Sequence, residues 1–274
     1  MNSPKAIGIF DSGYGGLTVL REIRAHLPQY DYIYMGDNAR APYGTRSFDT
    51  VYRYTLEAVK WFFSHGCSLV ILACNTASAK ALRTIQQKDL PVMEPGSKVL
   101  GVIRPTTEII GKFSLSGKVG ILATKGTVQS GSYPIEIKKF YPGIQVYQQA
   151  CPMWVPLIEN HEQDSSGADY FVREYLNALL KQDQDIDSIL LGCTHYPLLQ
   201  NKIMQWLPGD IKLISQGKIV ASSLADYLQR HPEIDQKCSK NGEISFYTTD
   251  SPDDFDLQAS FFYGESVRSS HAVP

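Results

Sequence analysis

Short apolar runs alternate along the chain with longer stretches in which apolar residues return every three or four positions. The short runs predict strands over 7–10, 32–35, 69–73, 99–103, 119–122, 144–147, 189–191, 211–214 and 244–247. Brief, continuously apolar segments suit strands covered on both faces. The periodic stretches predict helices over 17–26, 48–65, 77–87, 168–181, 198–206 and 220–229. In the second of these, Val51, Tyr54, Ala58, Trp61 and Phe62 share one helical face. Such alternation predicts an α/β chain built on mostly parallel sheets flanked by helices. The softest segments are 88–98, 162–167 and 235–242, and residues 269–274 read as a frayed end.

The pattern echoes itself. Gly8-Ile9-Phe10-Asp11 has a counterpart in Gly120-Ile121-Leu122-Ala123-Thr124. Later in each half an apolar strand ends in cysteine, at Leu72-Ala73-Cys74 and at Leu191-Gly192-Cys193. The halves match in layout without strict register, which predicts two lobes of common plan.

Composition removes several classes of function. The 274 residues are 43% apolar, and 26 basic against 28 acidic side chains leave a net charge of −2. That balance argues against nucleic acid or an anionic membrane as partner. No apolar run approaches the roughly 18 residues of a spanning helix. Residues 1–5 lead into the first strand without the apolar core of a leader. The cysteines Cys67, Cys74, Cys151, Cys193 and Cys238 are odd in number and show no C-x-x-C spacing. A disulfide scaffold, a zinc site and a thioredoxin-like motif are therefore disfavoured. The expectation is a cytoplasmic protein with reduced thiols and no metal.

Asp11-Ser12-Gly13-Tyr14-Gly15-Gly16 follows a strand and opens a helix, a common place for phosphate. The known fingerprints fail. A P-loop counted from Gly8 needs Lys where Tyr14 stands, and a dinucleotide loop counted from Gly13 needs Gly where Thr18 stands. Two readings stay open: a tight turn using glycine freedom, or Asp11 and Ser12 facing the ligand crevice of an open sheet.

Cys74-Asn75-Thr76 and Cys193-Thr194-His195 carry the chemistry. Either cysteine alone reads as a small buried hydrophobe. Two at matching strand ends, each followed by amide or hydroxyl side chains, suggest work on two faces of one carbon. Asn75 or Thr76 can cap the first helix, and Pro197 suits the start of the second. A thiol beside a helix start is favoured as thiolate. Asp11 and His195 can carry protons for the two thiols, although His195 reads equally as a core or capping histidine. Asn75, Thr76, Thr124 and Thr194 can hold a carboxylate.

With these residues in view, the chain resembles the glutamate racemases, which work without a cofactor and provide D-glutamate for bacterial peptidoglycan. The matching segments run from Ile7 to Val19, from Gly36-Asp37 to Ala41-Pro42-Tyr43-Gly44, over Ala73-Cys74-Asn75-Thr76-Ala77, and from Leu191 to Leu198. The resemblance implies two α/β lobes, residues 1–98 with 208–274 and residues 99–207, with the active site in a cleft between them. It implies Cys74 as base for the D-enantiomer and Cys193 for the L-enantiomer. Asp11, His195 and Glu159 become assisting groups, and Ser12, Pro42, Tyr43, Gly44, Asn75, Thr76, Thr124 and Thr194 substrate contacts. It also implies glutamate as the small-molecule partner, no pyridoxal phosphate, and a homodimer.

The departures from the family pattern are local. Residues 91–98 form a longer stretch than usual, Arg104 replaces a common acidic residue, and Ser215-Gln216-Gly217 replaces a frequent Asp-Ser-Gly. The rival readings are an aspartate or hydantoin racemase of the same superfamily, a single-cysteine hydrolase, and a non-catalytic binding module.

Overall fold

The computed structural model describes residues 5–274, and the opening residues 1–4, read as lacking a leader pattern, lie outside them. Ten strands are present among the described residues: β1 Ile7–Asp11, β2 Tyr32–Gly36, β3 Leu69–Leu72, β4 Lys98–Gly101, β5 Lys118–Ala123, β6 Gln145–Ala150, β7 Ser188–Gly192, β8 Lys212–Ile214, β9 Ile244–Thr248 and β10 Ser269–His271. They form a six-stranded sheet in the order β10-β9-β2-β1-β3-β4 and a four-stranded sheet in the order β6-β5-β7-β8. Every pairing in both sheets is parallel. The α/β class expected from the alternation is the class found.

The chain divides into two compact units, Met1–Val102 with Gly217–Pro274, and Ile103–Gln216. The boundaries differ from those inferred by resemblance, for a reason in the hydrogen bonding. β4 pairs with β3, which keeps it in the first unit. β8 pairs with β7, which carries the second unit past residue 207.

The sequence echo has a counterpart in topology. In the first unit the chain runs from the middle strand β1 to β2 on one side, then returns to β3 on the other. The second unit repeats this order with β5, β6 and β7. Each sheet therefore reverses its winding next to its first strand, and the crevice outside the carboxyl ends at such a reversal is where open α/β sheets take ligands. Strands β1, β3, β5 and β7 are almost wholly buried, which is why they read as unbroken apolar runs.

Local chemistry sets the helices. Helix Phe48–Ser64 begins where the Ser47 hydroxyl accepts the Thr50 N–H at 3.2 Å, and it buries the Val51, Ala58, Trp61, Phe62 face foreseen from its period. The helix expected over 77–87 starts earlier and continues further, in pieces. It winds as Asn75–Lys80 and Leu82–Thr84, widens to a π turn over Ile85–Asp89, and closes as Leu90–Met93. Pro91 has no N–H to give the preceding turn and its ring crowds that carbonyl, so the wider winding absorbs it. Much of 88–98, read as soft, is thus helical.

The expectation of a frayed end is also corrected. β10 pairs with β9, the Ala272 N–H donates to the Thr248 carbonyl at 2.8 Å, and Ala272 is buried. No helix among the described residues is long and apolar enough to cross a membrane.

Candidate active site

In the first unit, register brings the site residues together. Phe10 pairs with Leu72, and its carbonyl accepts the N–H groups of Ala73 at 2.8 Å and Cys74 at 3.4 Å. Cys74 therefore emerges at the end of β3 beside the end of β1, where Asp11 and Ser12 stand. The Cys74 thiol donates to the Ser12 hydroxyl at 3.4 Å, and its sulfur accepts the Ala77 N–H at 3.4 Å. Cys74 itself, not Asn75 or Thr76, is the cap of the helix that follows. Asn75 and Thr76 are buried in its first turn.

The glycine loop is a rigid floor to this corner. The Asp11 carboxylate, 1% exposed, accepts the Gly13 N–H at 2.9 Å, and the buried Tyr34 hydroxyl donates to the Gly13 carbonyl at 2.9 Å. A Cβ on Gly16 would lie 2.6 Å from the Asp11 Cβ, so only glycine lets the helix start this close to the strand end.

Pro42, Tyr43 and Gly44 lie on the segment after β2, held by a carboxylate to which the sequence reading gave no role. Asp37 is fully buried, its N–H donates to the Asp11 carbonyl at 3.0 Å, and its side chain accepts from Tyr43, Arg40 and Thr249. Its sequence signals are its position just past an apolar strand, as with Asp11, and its place in the family-like segment that runs to Gly44. The Tyr43 ring packs 6.2 Å from that of Phe10, centroid to centroid, and burial and the Asp37 charge push its phenol well above the usual range.

In the second unit, Ala123 pairs with Gly192, so Thr124 and Cys193 follow side by side at the ends of β5 and β7. The Thr124 hydroxyl caps helix Lys125–Ser130 by accepting the Thr127 N–H at 3.3 Å. Cys193 differs from Cys74. A 3-10 turn, Tyr196–Leu199, precedes helix Gln200–Trp206, so no helix begins at its sulfur. Its polar partner is His195, whose Nδ1 lies 4.0 Å from Sγ while Nε2 lies 2.9 Å from Oε1 of Glu159. Thr194, which separates Cys193 from His195 in sequence, is buried.

His195 is buried at the N-cap position of that 3-10 turn, but its side chain makes no capping bond and turns instead to Cys193 and Glu159. Burial alone would lower its pKa, but its bonds to Cys193 and Glu159 and their charges outweigh that and raise it to about 10. The buried imidazole therefore holds its proton more tightly than a free one, with the Cys193 sulfur on one side and the Glu159 carboxylate on the other.

The other cysteines are of a different kind. Burial pushes Cys67 and Cys238 up to about 12, and Cys151 well above its ordinary value. They behave as small apolar side chains.

The Asp/Glu/Hydantoin racemase family matches residues 17–224. A glutamate racemase of Geobacter metallireducens is 41% identical over 270 residues, which cover 98% of this chain and 96% of that protein. The structure of a glutamate racemase isoform from Bacillus anthracis superposes with a TM-score of 0.89 at 33% identity, over 99% of this chain and 98% of that one. Glutamate racemase from Francisella tularensis, solved in complex with D-glutamate, gives 0.86 at 30% identity, over 98% of each chain. Fold and matches together define an isomerase of the racemase class. The chain belongs to the Asp/Glu/Hydantoin racemase family.

Proposed function

We propose that this racemase interconverts L- and D-glutamate with two protein thiols, and that it supplies D-glutamate for peptidoglycan in the cytoplasm as a homodimer. The observation that supports the two-thiol reading best is that each sheet, at the point where its winding reverses, has a cysteine just past the carboxyl end of a strand. The glutamate racemases to which the chain is similar support the choice of substrate.

Inversion at Cα needs a base on one face and an acid on the other. From D-glutamate, the Cys74 thiolate takes the α-proton, and the Cα–H electron pair passes into the α-carboxyl group as an enolate-like carbanion. The Cys193 thiol then gives its proton to the opposite face of Cα and is left as thiolate. L-glutamate runs the same steps in reverse, so proton and charge balance in both directions.

The α-proton is weakly acidic, so the growing negative charge needs fixed donors in a site that excludes water. Ser12, Asn75, Thr76, Thr124 and Thr194 supply such donors, and Pro42, Tyr43 and Gly44 complete the substrate contacts. Asp11 serves the Cys74 side. His195, oriented by Glu159, serves the Cys193 side.

The test is incubation of the purified protein with D-glutamate in deuterium oxide, followed by circular dichroism and mass spectrometry. The optical signal is expected to decay to zero as deuterium enters Cα. Turnover of aspartate or a hydantoin alone would move the assignment within the family. If one of the two thiols can be removed with activity nearly unchanged, single-nucleophile chemistry is indicated, and binding without deuterium uptake indicates a non-catalytic module.

A further inference from the structure

The departure Ser215-Gln216-Gly217 has a structural consequence inside the second unit. Gln216 is its last residue, and the chain passes directly from it into helix Gly217–Arg230 of the first unit. Its side chain is buried, and its Nε2 donates to the Tyr133 hydroxyl oxygen at 2.9 Å and to the Thr106 hydroxyl oxygen at 3.2 Å. Thr106 lies on helix Ile103–Thr107, the first element after the chain enters the second unit. One amide thus ties the entering segment to the leaving one, and both to Tyr133.

Tyr133 connects this tie to the reacting thiol. It is fully buried on helix Ser132–Phe140, and its ring edge lies 3.1 Å from where a Cβ on Gly192 would stand. Gly192 is the residue before Cys193. The phenol is held well above its usual range by burial and by the Cys193 charge, against the Gln216 hydrogen bond, which lowers it. The ring packs against the residue that precedes Cys193, and Gln216 holds its hydroxyl. A serine at position 216 ends two atoms short of the glutamine amide nitrogen, and it leaves the Tyr133 oxygen without that donor.

We infer that Gln216 is a positioning residue of this chain, which through Tyr133 sets the packing around Cys193. The inference rests on the reading of Cys193 as a reactive thiol, but its test does not require turnover. Alkylation of Cys74 and Cys193 by iodoacetamide, followed peptide by peptide by mass spectrometry, compares the native protein with Gln216→Leu, Gln216→Ser and Tyr133→Phe. The Gln216 variants are expected to speed Cys193 alkylation about fivefold, the factor that one lost buried hydrogen bond represents, with Cys74 unchanged. In Tyr133→Phe the acceptor is gone, and adding Gln216→Leu is expected to change Cys193 little further, a non-additivity that marks one shared interaction.

Equal changes at both cysteines, no change at Cys193, or full additivity in the double variant would overturn the inference. If Gln216→Leu fails to fold, Tyr133→Phe and Gln216→Ser carry the same comparison. Should Cys193 respond as expected while the protein fails to racemise glutamate, the positioning role stands and the substrate assignment falls.

Discussion

Glu159 holds the outer nitrogen of His195 at 2.9 Å, and this contact helps keep the imidazole charged at neutral pH. The folded-state pKa of about 10 stands above the ordinary 6.5, so the native state holds the proton more tightly than the unfolded chain. The stabilisation is complete below about pH 6.5 and fades as pH rises toward 10. Glu159→Gln is expected to lower the His195 pKa and remove part of that pH-dependent stability. Thermal unfolding of both proteins across this window checks it: the gap in Tm should close as pH rises, and a constant gap would refute the coupling.

Removal of either reacting thiol is expected to have a far larger effect on rate than on fold. Cys74→Ala and Cys193→Ala should each cut racemisation of both enantiomers by roughly 10²–10⁴-fold, the range for general acid–base groups. Cys238→Ala should leave the rate near native, because that thiol is held neutral by burial. Chiral chromatography of glutamate measures all three, and a near-native rate in Cys74→Ala would end the two-thiol scheme.

Gly16→Ala places a methyl group 2.6 Å from the Asp11 Cβ and 3.1 Å from the Ala73 Cβ. Overpacking of this kind costs about 1–3 kcal/mol. Urea denaturation should show that loss together with a fall in kcat, since the displaced groups adjoin Cys74. Asp11→Asn is the complementary variant. Its amide oxygen can still accept the Gly13 N–H, so stability should stay near native while kcat falls.

Tyr43→Phe removes one of the donors to the buried Asp37 carboxylate and leaves Arg40 and Thr249 in place. A cost of about 1–3 kcal/mol is expected for the weakened buried group. Because the affected segment carries Pro42, Tyr43 and Gly44, KM for glutamate should rise more than kcat falls. Steady-state kinetics reversing that order would place the segment outside substrate binding.

What the sequence disclosed follows from where each element is buried. β1, β3, β5 and β7 lie inside their sheets, so their apolar runs are unambiguous and the cysteines after β3 and β7 could be placed at strand ends. β10, Ser-Ser-His in composition, is an edge strand whose pairing with β9 fixes it, and no local pattern announces it. Helices Lys125–Ser130 and Trp154–Glu159 are six residues each, too short for a period to emerge. Asp37 gained no role because its tie to Thr249 spans more than two hundred residues, although Arg40 and Tyr43 stand close to it in the chain. The bond between His195 and Glu159 likewise spans 36 residues; resemblance pointed to Glu159 where spacing alone did not.

The uniform strand direction leaves each sheet with one rim that carries a candidate thiol and one that does not. Ser12, Cys74, Thr124 and Cys193 follow carboxyl ends, whereas the turns entering the strands lie at the opposite edge. The segment before β5 is such a turn, and its Leu115 is 92% exposed. A fluorophore, an affinity handle or a surface tether attached there would sit on the far rim of its sheet, leaving the thiol rim unobstructed.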